Sequence, residues 1–320
     1  CTFEKKMNEK FNCPTCKKSL IFQKNFLFCE NCKKKFPIIE GVFDFSEENF
    51  SKATYKTLNQ FAKSWKIFDH IEPYHQKQFL EWIFPENEEI FKDKVVLEAG
   101  CGKGRHTYIV STFGAKKIYA VDLSDAIFVA KKNINQENCV FIKSDIRKLP
   151  FEENFFDVVF CIGVLHHIEN MDEAFFELWR VLKKGGKLLL WVYAKEGNWW
   201  ILKFVNPIRK NITSKIDPKL LRIVSFPISI FLFLLLKIFY GPLSLYGKKV
   251  APILPYSSYL SAVSPFPFKE IESIVVDHLC PEIAYYLSKE EIENMISKLK
   301  PKEFTLRLHK KNSWTIILKK

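Results

Sequence analysis

The chain has 320 residues, of which 48% are hydrophobic, so it is long enough for one large domain or two smaller ones with a buried core. This composition excludes a disordered chain. The 49 basic residues outnumber the 36 acidic ones and give a formal net charge of +13. Such an excess indicates a polyanionic partner or an anionic membrane surface, although the abundant Lys, Asn, Ile and Phe also fit a protein from an AT-rich genome.

The cysteines indicate a reducing environment. There are nine of them, an odd number, and the first residues lack the pattern of a secretory signal. We therefore expect a cytoplasmic protein without a disulfide framework. The chain begins at Cys1 without a methionine, and three explanations stay open: a truncated reading frame, which we favour, a processed terminus, and a lipid-modified cysteine.

Four of the cysteines form two pairs, CPTC and CENC, separated by twelve residues. Two residues between thiolates allow both sulfurs to bind one tetrahedral Zn²⁺ at about 2.3 Å, and two such pairs complete a closed structural site. The apolar residues between the pairs predict a short hairpin that carries them. We therefore predict zinc ligands at Cys13, Cys16, Cys29 and Cys32.

The segment that continues through KKKFPIIEGVFDF to Phe45 resembles the zinc ribbons of the Trm112-like type. The resemblance implies an accessory domain over residues 1–45, so catalysis should lie elsewhere. A ribbon of this size buries little apolar surface, and metal binding should supply its folding free energy. Residues 46–92 are predicted to form linking helices. The sequence leaves open whether the ribbon binds a partner or braces the rest of the chain.

The stretch EAGCGKG at 98–104 lies between the apolar run KVVL and a predicted helix that starts near Thr107. Glycines at 100, 102 and 104 let the backbone turn sharply and approach a ligand without a Cβ in the way. On its own, a loop with three glycines is a weak signal.

The segments after this loop alternate between strand and helix. Helices are predicted at 124–133 and 172–182, and further strands at 117–123, 139–143, 155–163 and 187–193. This alternation predicts an α/β fold with a doubly wound parallel sheet, whose ligand binds at the carboxyl ends of the strands. Asp122 and Asp145 follow two of these strands. Asp122 lies about twenty residues beyond the glycine loop, where a carboxylate can accept both hydroxyls of a ribose.

Four consecutive stretches carry a more specific resemblance: ExGxGxG, VDLS, SDIRKLPFEENFFDVVFCIGVLHHIEN and RVLKKGGKLLL. Together they resemble a class I S-adenosylmethionine-dependent methyltransferase of the small-molecule kind that includes the ubiquinone and menaquinone methylases. The match covers residues 93–195, and residues 288–320 resemble the last helix and two closing strands of the same Rossmann-like core, near 303–309 and 313–319. A nicotinamide-binding domain is the rival reading, but it predicts GxGxxG.

The resemblance implies cofactor contacts from the loop and from the ends of three strands. Glu98 would hold the loop or reach the ammonium group of S-adenosylmethionine, Asp122 would take the ribose hydroxyls, and Asp145 would accept from the adenine amino group. Apolar neighbours would flank the adenine and line the methionine side. The predicted set is Glu98, Gly100, Gly102, Gly104, Asp122, Leu123, Asp145, Ile146, Ile162 and Gly163.

About ninety residues, 196–287, separate the fifth strand from the last helix, and this length predicts an insertion with helices of its own. Its run 223–236 has fourteen uncharged residues, followed by Lys237 and ten more uncharged residues. A membrane span needs about twenty apolar residues. Ten basic residues against two acidic ones between 195 and 249 would suit an anionic leaflet. A buried helical lid, a helix in the membrane interface and a transmembrane span all stay open.

An apolar, aromatic insertion predicts a hydrophobic, aromatic or lipid-linked small-molecule acceptor. The expected location is cytoplasmic, with peripheral contact to the inner face of the membrane left open. One alternative is an rRNA or tRNA base methyltransferase that uses the ribbon and the excess charge to bind RNA. A further alternative is a scaffold that binds S-adenosylmethionine without catalysis.

Methyl transfer from a sulfonium requires an in-line arrangement and the exclusion of water, with no metal or covalent intermediate. A general base would help an oxygen or protonated nitrogen acceptor. The candidates are His166, His167, Tyr193 and the pair Asp277 and His278. We predict His167, because it follows the fourth strand, where the methyl group should point. The acceptor itself and the oligomeric state are not determined by the sequence.

Overall fold

The structure is a computed structural model that describes residues 9–47, 50–242 and 256–320. Cys1 and the end of the uncharged run, residues 243–247, lie outside the described residues. The strands are β1 (Ile21–Gln23), β2 (Phe26–Phe28), β3 (Lys35–Ile39), β4 (Val42–Asp44), β5 (Val95–Ala99), β6 (Lys117–Asp122), β7 (Cys139–Lys143), β8 (Phe156–Ile162), β9 (Leu182–Tyr193), β10 (Glu303–His309) and β11 (Ser313–Lys319).

Helices cover both faces of the resulting sheet and form the insertion. They are α1 (Lys52–Ile67), α2 (Tyr74–Ile83), α3 (Arg105–Thr112), α4 (Ala126–Asn133), α5 (Met171–Val181), α6 (Asn206–Asn211), α7 (Pro218–Leu235), α8 (Ser257–Val263), α9 (Phe268–Leu279) and α10 (Lys289–Leu299).

The strands pair in the order β1-β2-β3-β4-β7-β6-β5-β8-β9-β11-β10. Strands β7, β6, β5, β8 and β9 are parallel, and β11 runs antiparallel between β9 and β10. The predicted α/β fold with a mostly parallel core sheet is confirmed. Strand β9 begins five residues before the predicted start, directly after α5.

The central strands are apolar on both faces because helices cover both faces. On β5, Val96 packs in one buried cluster with residues of α2 and α3, such as Phe79 and Ile109. The next residue, Leu97, belongs to a second cluster, which includes Leu178 of α5. Consecutive side chains of a strand point to opposite faces, so a continuous apolar run is what a sheet covered on both sides requires.

The ribbon continues the same sheet. Strand β4 pairs in parallel with β7, with Phe43 opposite Ile142, and the Phe45 backbone N–H donates to the Lys143 carbonyl at 2.8 Å. Phe11 and Phe43 lie in one buried cluster with side chains of the core sheet. The ribbon therefore braces the β7 edge, and its pairing protects an edge strand from other partners.

The insertion between β9 and α10 is helical in its described part. Helix α7 runs through Pro227 and continues into a π-helical turn, Leu236–Tyr240. The combined segment Pro218–Tyr240 is long and apolar enough to cross a membrane, with a mean hydropathy of 2.2, and 22% of its most apolar window is buried.

Candidate cofactor and acceptor site

A cavity of about 1300 Å³ opens at the carboxyl ends of the parallel strands. One side, here called the cofactor wall, consists of the residues that follow β5, β6, β7 and β8. The structure brings most of the predicted cofactor residues together on this wall: Gly100, Gly102, Asp122, Leu123, Asp145, Ile146, Ile162 and Gly163. Glu98 and Gly104 lie outside the lining.

The glycine loop needs its glycines at these positions. Gly100, Gly102 and Gly104 have φ angles of +83°, +51° and +83°, which side chains rarely adopt. A Cβ on Gly102 would lie 2.9 Å from Nε1 of Trp65, and one on Gly100 would lie 2.4 Å from Val164. The loop therefore leaves a narrow cradle between its own backbone and α1.

Asp122 holds the loop against the end of β6. Its Oδ2 accepts from the Gly102 N–H at 2.8 Å, and its Oδ1 accepts from the backbone N–H and the hydroxyl of Ser124. Burial raises the pKa of Asp122 in spite of these hydrogen bonds, which lower it. A carboxylate oxygen can accept about two hydrogen bonds, so Oδ2 retains capacity for a ligand hydroxyl.

Asp145 has a partner that the sequence did not reveal. The guanidinium of Arg147 binds its carboxylate, with Nη2 at 2.7 Å from Oδ2 and Nε at 3.0 Å from the same oxygen. An adenine amino group would have to share these oxygens with Arg147. Ile146, the next residue, is buried and lines the cavity, as expected for a residue beside a flat ring.

Glu98 lies behind the cofactor wall, where it is almost fully buried. One of its oxygens accepts from the Thr107 hydroxyl at the start of α3, and the other lies 3.6 Å from Nδ1 of His106. Burial raises the pKa of Glu98 to about 8. Glu98 therefore links the end of β5 to α3, the helix that follows the glycine loop.

The other side of the cavity, here called the apolar wall, comes mainly from the insertion. Helices α7, α8 and α9 and the turn between α8 and α9 supply it, with no charged group among these members: Leu232, Leu235, Tyr259, Leu260, Val263, Phe266 and Ile274. The sequence predicted an apolar insertion but not these residues.

Helix α1 also lines the cavity, and the sequence analysis assigned it only to a linker. Thr54, Thr57, Leu58, Phe61 and Trp65 all face the cavity. Their spacing places them on one side of a helix, which is the signal that could have identified them.

Helix α9 adds carboxylates to the cavity lining by the same spacing. Asp277 accepts from the Ser64 hydroxyl at 3.3 Å, and burial raises the pKa of Asp277 to about 7, although Lys103 and Arg105 lower it. One turn earlier, Ile274 lines the apolar wall. The sequence named Asp277 as a candidate base without indicating its protonation.

Glu270, on the same helix, differs from Asp277. His70 Nε2 lies 3.1 Å and His75 Nε2 3.2 Å from its oxygens, and Arg105 lies 3.8 Å away. Burial would raise the pKa of Glu270, but these partners hold it well below its usual range. Glu270 is therefore a charged structural centre, whereas Asp277 is poised to exchange a proton near neutral pH.

Residues 97–190 match the family described as "Methyltransferase domain". The chain carries a class I S-adenosylmethionine-dependent methyltransferase domain. S-adenosylmethionine is the cofactor of this methyltransferase domain.

Relatives of the methyltransferase domain act on different acceptors. Sterol 4-C-methyltransferase strm-1 of Caenorhabditis elegans is 31% identical over 118 residues, which are 36% of this chain and 35% of the relative. A tRNA U34 carboxymethyltransferase of Nautilia profundicola is 28% identical over 173 residues, which are 50% of this chain and 56% of the relative. The chain thus spans about a quarter to just over half of the length of curated relatives such as these.

Among solved structures, human N-acetylserotonin methyltransferase in complex with SAM is similar to 85% of this chain. The similarity covers 59% of that chain, with 12% identity and a TM-score of 0.48.

The residues of the methyltransferase domain fit S-adenosylmethionine. The cradle at Gly102 is a space that a single Cβ would close, and Asp122 next to it has an oxygen with spare acceptor capacity. A ribose offers two hydroxyl donors to such a carboxylate.

The predicted base His167 lines the cavity as a neutral ring. Its Nδ1 lies 2.6 Å from the Ile283 carbonyl, so this nitrogen carries the proton and donates, while Nε2 has the lone pair. Burial lowers the pKa of His167 to about 3. The ring is therefore suited to accept a hydrogen bond and is a weak base.

The other predicted bases differ in position. His166 is fully buried behind the cavity lining. Tyr193 and His278 line the cavity, and burial raises the pKa of Tyr193 and lowers that of His278. The Nδ1 of His278 lies 2.9 Å from the Ile274 carbonyl. Asp277 has a pKa of about 7, close to neutrality.

The four ribbon cysteines converge as predicted. The sulfurs of Cys13, Cys16, Cys29 and Cys32 all lie within 4.8 Å of one another, with Cys16 Sγ 3.5 Å from Cys29 Sγ. Ligands about 2.3 Å from a tetrahedral zinc ion lie about 3.8 Å apart, so this donor set fits a structural zinc.

Proposed function

We propose that the protein transfers a methyl group from S-adenosylmethionine to a small hydrophobic acceptor, either aromatic or lipid-linked. The observation that supports this proposal is a single cavity whose cofactor wall and apolar wall face the same space. Apolar walls with few polar groups bind apolar ligands, because transfer of the ligand out of water supplies most of the affinity.

In this proposal the cofactor wall holds S-adenosylmethionine through the backbone of Gly100 and Gly102, through Asp122 at the ribose and through Ile146 beside the adenine. The bound cofactor supplies a methyl group activated by its positive sulfur. The chain aligns the acceptor with that methyl group and keeps water out, which is sufficient for an in-line transfer.

We assign the proton acceptor to Asp277, with His167 as a hydrogen-bond acceptor that orients the substrate. A base works best when its pKa lies near the working pH. Asp277 meets this condition with a pKa of about 7, and His167 does not with a pKa of about 3. The assignment applies to an acceptor that loses a proton from oxygen or nitrogen.

The proposal places the protein in the cytoplasm. A peripheral enzyme there can reach acceptors that are dissolved in the inner leaflet of the membrane.

The test uses S-adenosylmethionine labelled in the methyl group. The full chain is incubated with a total lipid extract and, separately, with total RNA, and label is measured in the organic phase and in RNA. We expect label in the organic phase with the lipid extract. Label in RNA alone would contradict the proposal and would indicate that the protein methylates RNA.

RNA methylation is a second candidate because a tRNA U34 carboxymethyltransferase matches half of this chain and because the net charge is +13. An apolar wall is a poor surface for a polyanion, which favours the hydrophobic acceptor. A scaffold that binds S-adenosylmethionine without catalysis is the third candidate, and it predicts cofactor binding without transfer to either class of acceptor.

A further inference from the structure

Helix α7 exposes most of its apolar side chains, which is the opposite of what an ordinary surface helix does. It buries Leu221, Ser225 and Ser229 against the rest of the protein. Most of its large apolar side chains point outward: Ile223 of α7 is 70% exposed, and Ile238 in the following turn is 69% exposed. Surface helices normally bury their apolar side, so this outer side has the composition of a surface that contacts an apolar phase.

The exposed apolar surface extends to the segment before α7. We call the whole surface the outer apolar face, and its members are Trp199, Phe204, Ile208, Ile212, Leu220, Ile223, Val224, Phe226, Ile228, Ile230, Phe231, Leu234, Ile238 and Phe239. Single exposed apolar residues are common on proteins, but fourteen of them between residues 199 and 239 mark an interaction site.

The outer apolar face reaches the cavity. Trp199, Ile208, Ile228 and Phe231 are exposed and also line the cavity. A residue that does both lies at the rim. An apolar molecule could therefore pass from whatever covers this face to the apolar wall without crossing water.

Basic side chains accompany the face. Lys203, Lys210, Lys215 and Lys219 are exposed, and none of them forms an ion pair with another described residue. The exposed acid of this segment, Asp217, is already paired with Lys63 at 2.7 Å. Unpaired lysines beside an apolar helix are complementary to a surface that is apolar inside and anionic at its boundary.

The inner side of α7 and of the turn after it forms polar contacts with the rest of the protein. These contacts favour a helix that lies in the membrane interface over a helix that spans the membrane. Arg222 pairs with Glu272 of α9 at 2.9 Å, and Lys237 donates to the Ser264 carbonyl at 2.7 Å. A spanning helix would have to leave these partners and expose Ser225 and Ser229 to lipid. With the inner side attached, only the outer side can meet lipid.

We propose that the outer apolar face docks on an anionic lipid bilayer, with α7 in the plane of the interface, and that the acceptor enters the cavity from the lipid. This inference rests on the proposed hydrophobic acceptor and adds the partner and the route of entry.

The test is sedimentation of the full chain with vesicles of phosphatidylcholine, with and without phosphatidylglycerol. We expect binding that increases with the anionic lipid and decreases with salt. The double variant Ile223→Asp with Ile238→Asp changes residues outside the cavity lining, and we expect it to weaken vesicle binding by about tenfold or more. Phe304→Asp, at an apolar position on β10 that is 53% exposed, is the control and should bind like wild type.

A second double variant tests how much the basic side chains contribute to vesicle binding. Lys215→Glu with Lys219→Glu should remove the preference for phosphatidylglycerol and leave weak binding to phosphatidylcholine. Equal vesicle binding by wild type and the Ile223 and Ile238 variant would overturn the proposal, as would no binding by wild type. A dimer in sedimentation velocity that the same variant dissociates would overturn it in favour of a second copy of the chain.

A second readout separates this proposal from the proposed function. Binding of S-adenosylmethionine and methyl transfer to an acceptor in detergent should be unchanged in the Ile223 and Ile238 variant. Transfer in detergent without any vesicle binding by wild type would overturn the docking alone. Vesicle binding that the variant abolishes, without transfer to any aromatic or lipid acceptor, would overturn the proposed function and leave the docking in place.

Discussion

The two walls of the cavity are built in different ways. The cofactor wall is fixed by the backbone: Gly102 donates to Asp122, and the glycine loop cannot accept a Cβ at Gly100 or Gly102. The apolar wall consists of side chains from three helices of the insertion, which pack through apolar contacts. Backbone hydrogen bonds specify one geometry, whereas apolar contacts tolerate substitutions of similar volume.

This difference indicates at which wall substitutions can change the ligand specificity. The cofactor wall recognises one molecule and depends on single atoms, so one substitution there should abolish its function. The apolar wall can be altered in shape without loss of the fold. Asp277 lies between these cases, because it is a single polar group on a helix that otherwise supplies apolar lining.

The largest effect is expected from Asp277→Asn. This change keeps the shape and removes the proton acceptor, so we expect kcat to fall by about 100-fold. The affinity for S-adenosylmethionine should be unchanged, because Asp277 lies outside the cofactor wall. Steady-state kinetics and calorimetry measure the two quantities. A kcat close to that of wild type would assign the proton transfer to another group or to no group.

Gly102→Ala should act on the cofactor wall alone. The new Cβ would lie 2.9 Å from Trp65 Nε1 at a φ of +51°. We expect the Kd for S-adenosylmethionine to rise about tenfold or more, since each 1.4 kcal/mol is a factor of ten. Gly114→Ala is the control, because its φ is +76° and its Cβ would lie 3.8 Å from its nearest neighbour. Equal affinities of Gly102→Ala and Gly114→Ala for S-adenosylmethionine would contradict a narrow cradle at Gly102.

The pH dependence of kcat should report the protonation of Asp277 directly. Burial raises its pKa to about 7, and Lys103, Arg105, Glu270 and Ser64 act on it from neighbouring elements. Protonated Asp277 cannot accept a proton, so kcat should fall about tenfold for each pH unit below 7 and level off above. In Asp277→Asn this inflection should disappear. An inflection that persists in the variant would belong to another group, such as Lys103.

Zinc removal should have the smallest effect on the cavity. Ribbon residues share a buried cluster with the β7 edge, so a chelator or Cys16→Ser should lower the unfolding temperature by a few degrees. Cys139→Ser, outside the cluster, is the control. S-adenosylmethionine affinity should change little, because β5 to β8 build the cofactor wall. A loss of affinity that matches the loss of zinc would make the ribbon part of the site.

The cofactor wall could be predicted from the sequence because its features are local. Strands β7, β10 and β11 have the predicted bounds, the glycine loop follows β5 directly, and Asp122 is the last residue of β6. The apolar wall could not be predicted, because a helical period shows that α1 and α9 have an inner side but not what that side faces. The pairing of β4 with β7 depends on the same tertiary information, whereas Arg147, the partner of Asp145, lies only two residues away along the chain.

The most direct test of the two-walled cavity is Ile274→Lys, assayed for S-adenosylmethionine affinity and for methyl transfer into organic-soluble product. Ile274 lies on the apolar wall, one turn from Asp277, and Ile274→Leu is the control. We predict a Kd within about twofold of wild type and a transfer rate about tenfold lower, because a charge on this wall opposes an apolar acceptor. Unchanged transfer by Ile274→Lys in a protein that binds the cofactor would contradict an apolar acceptor in this cavity.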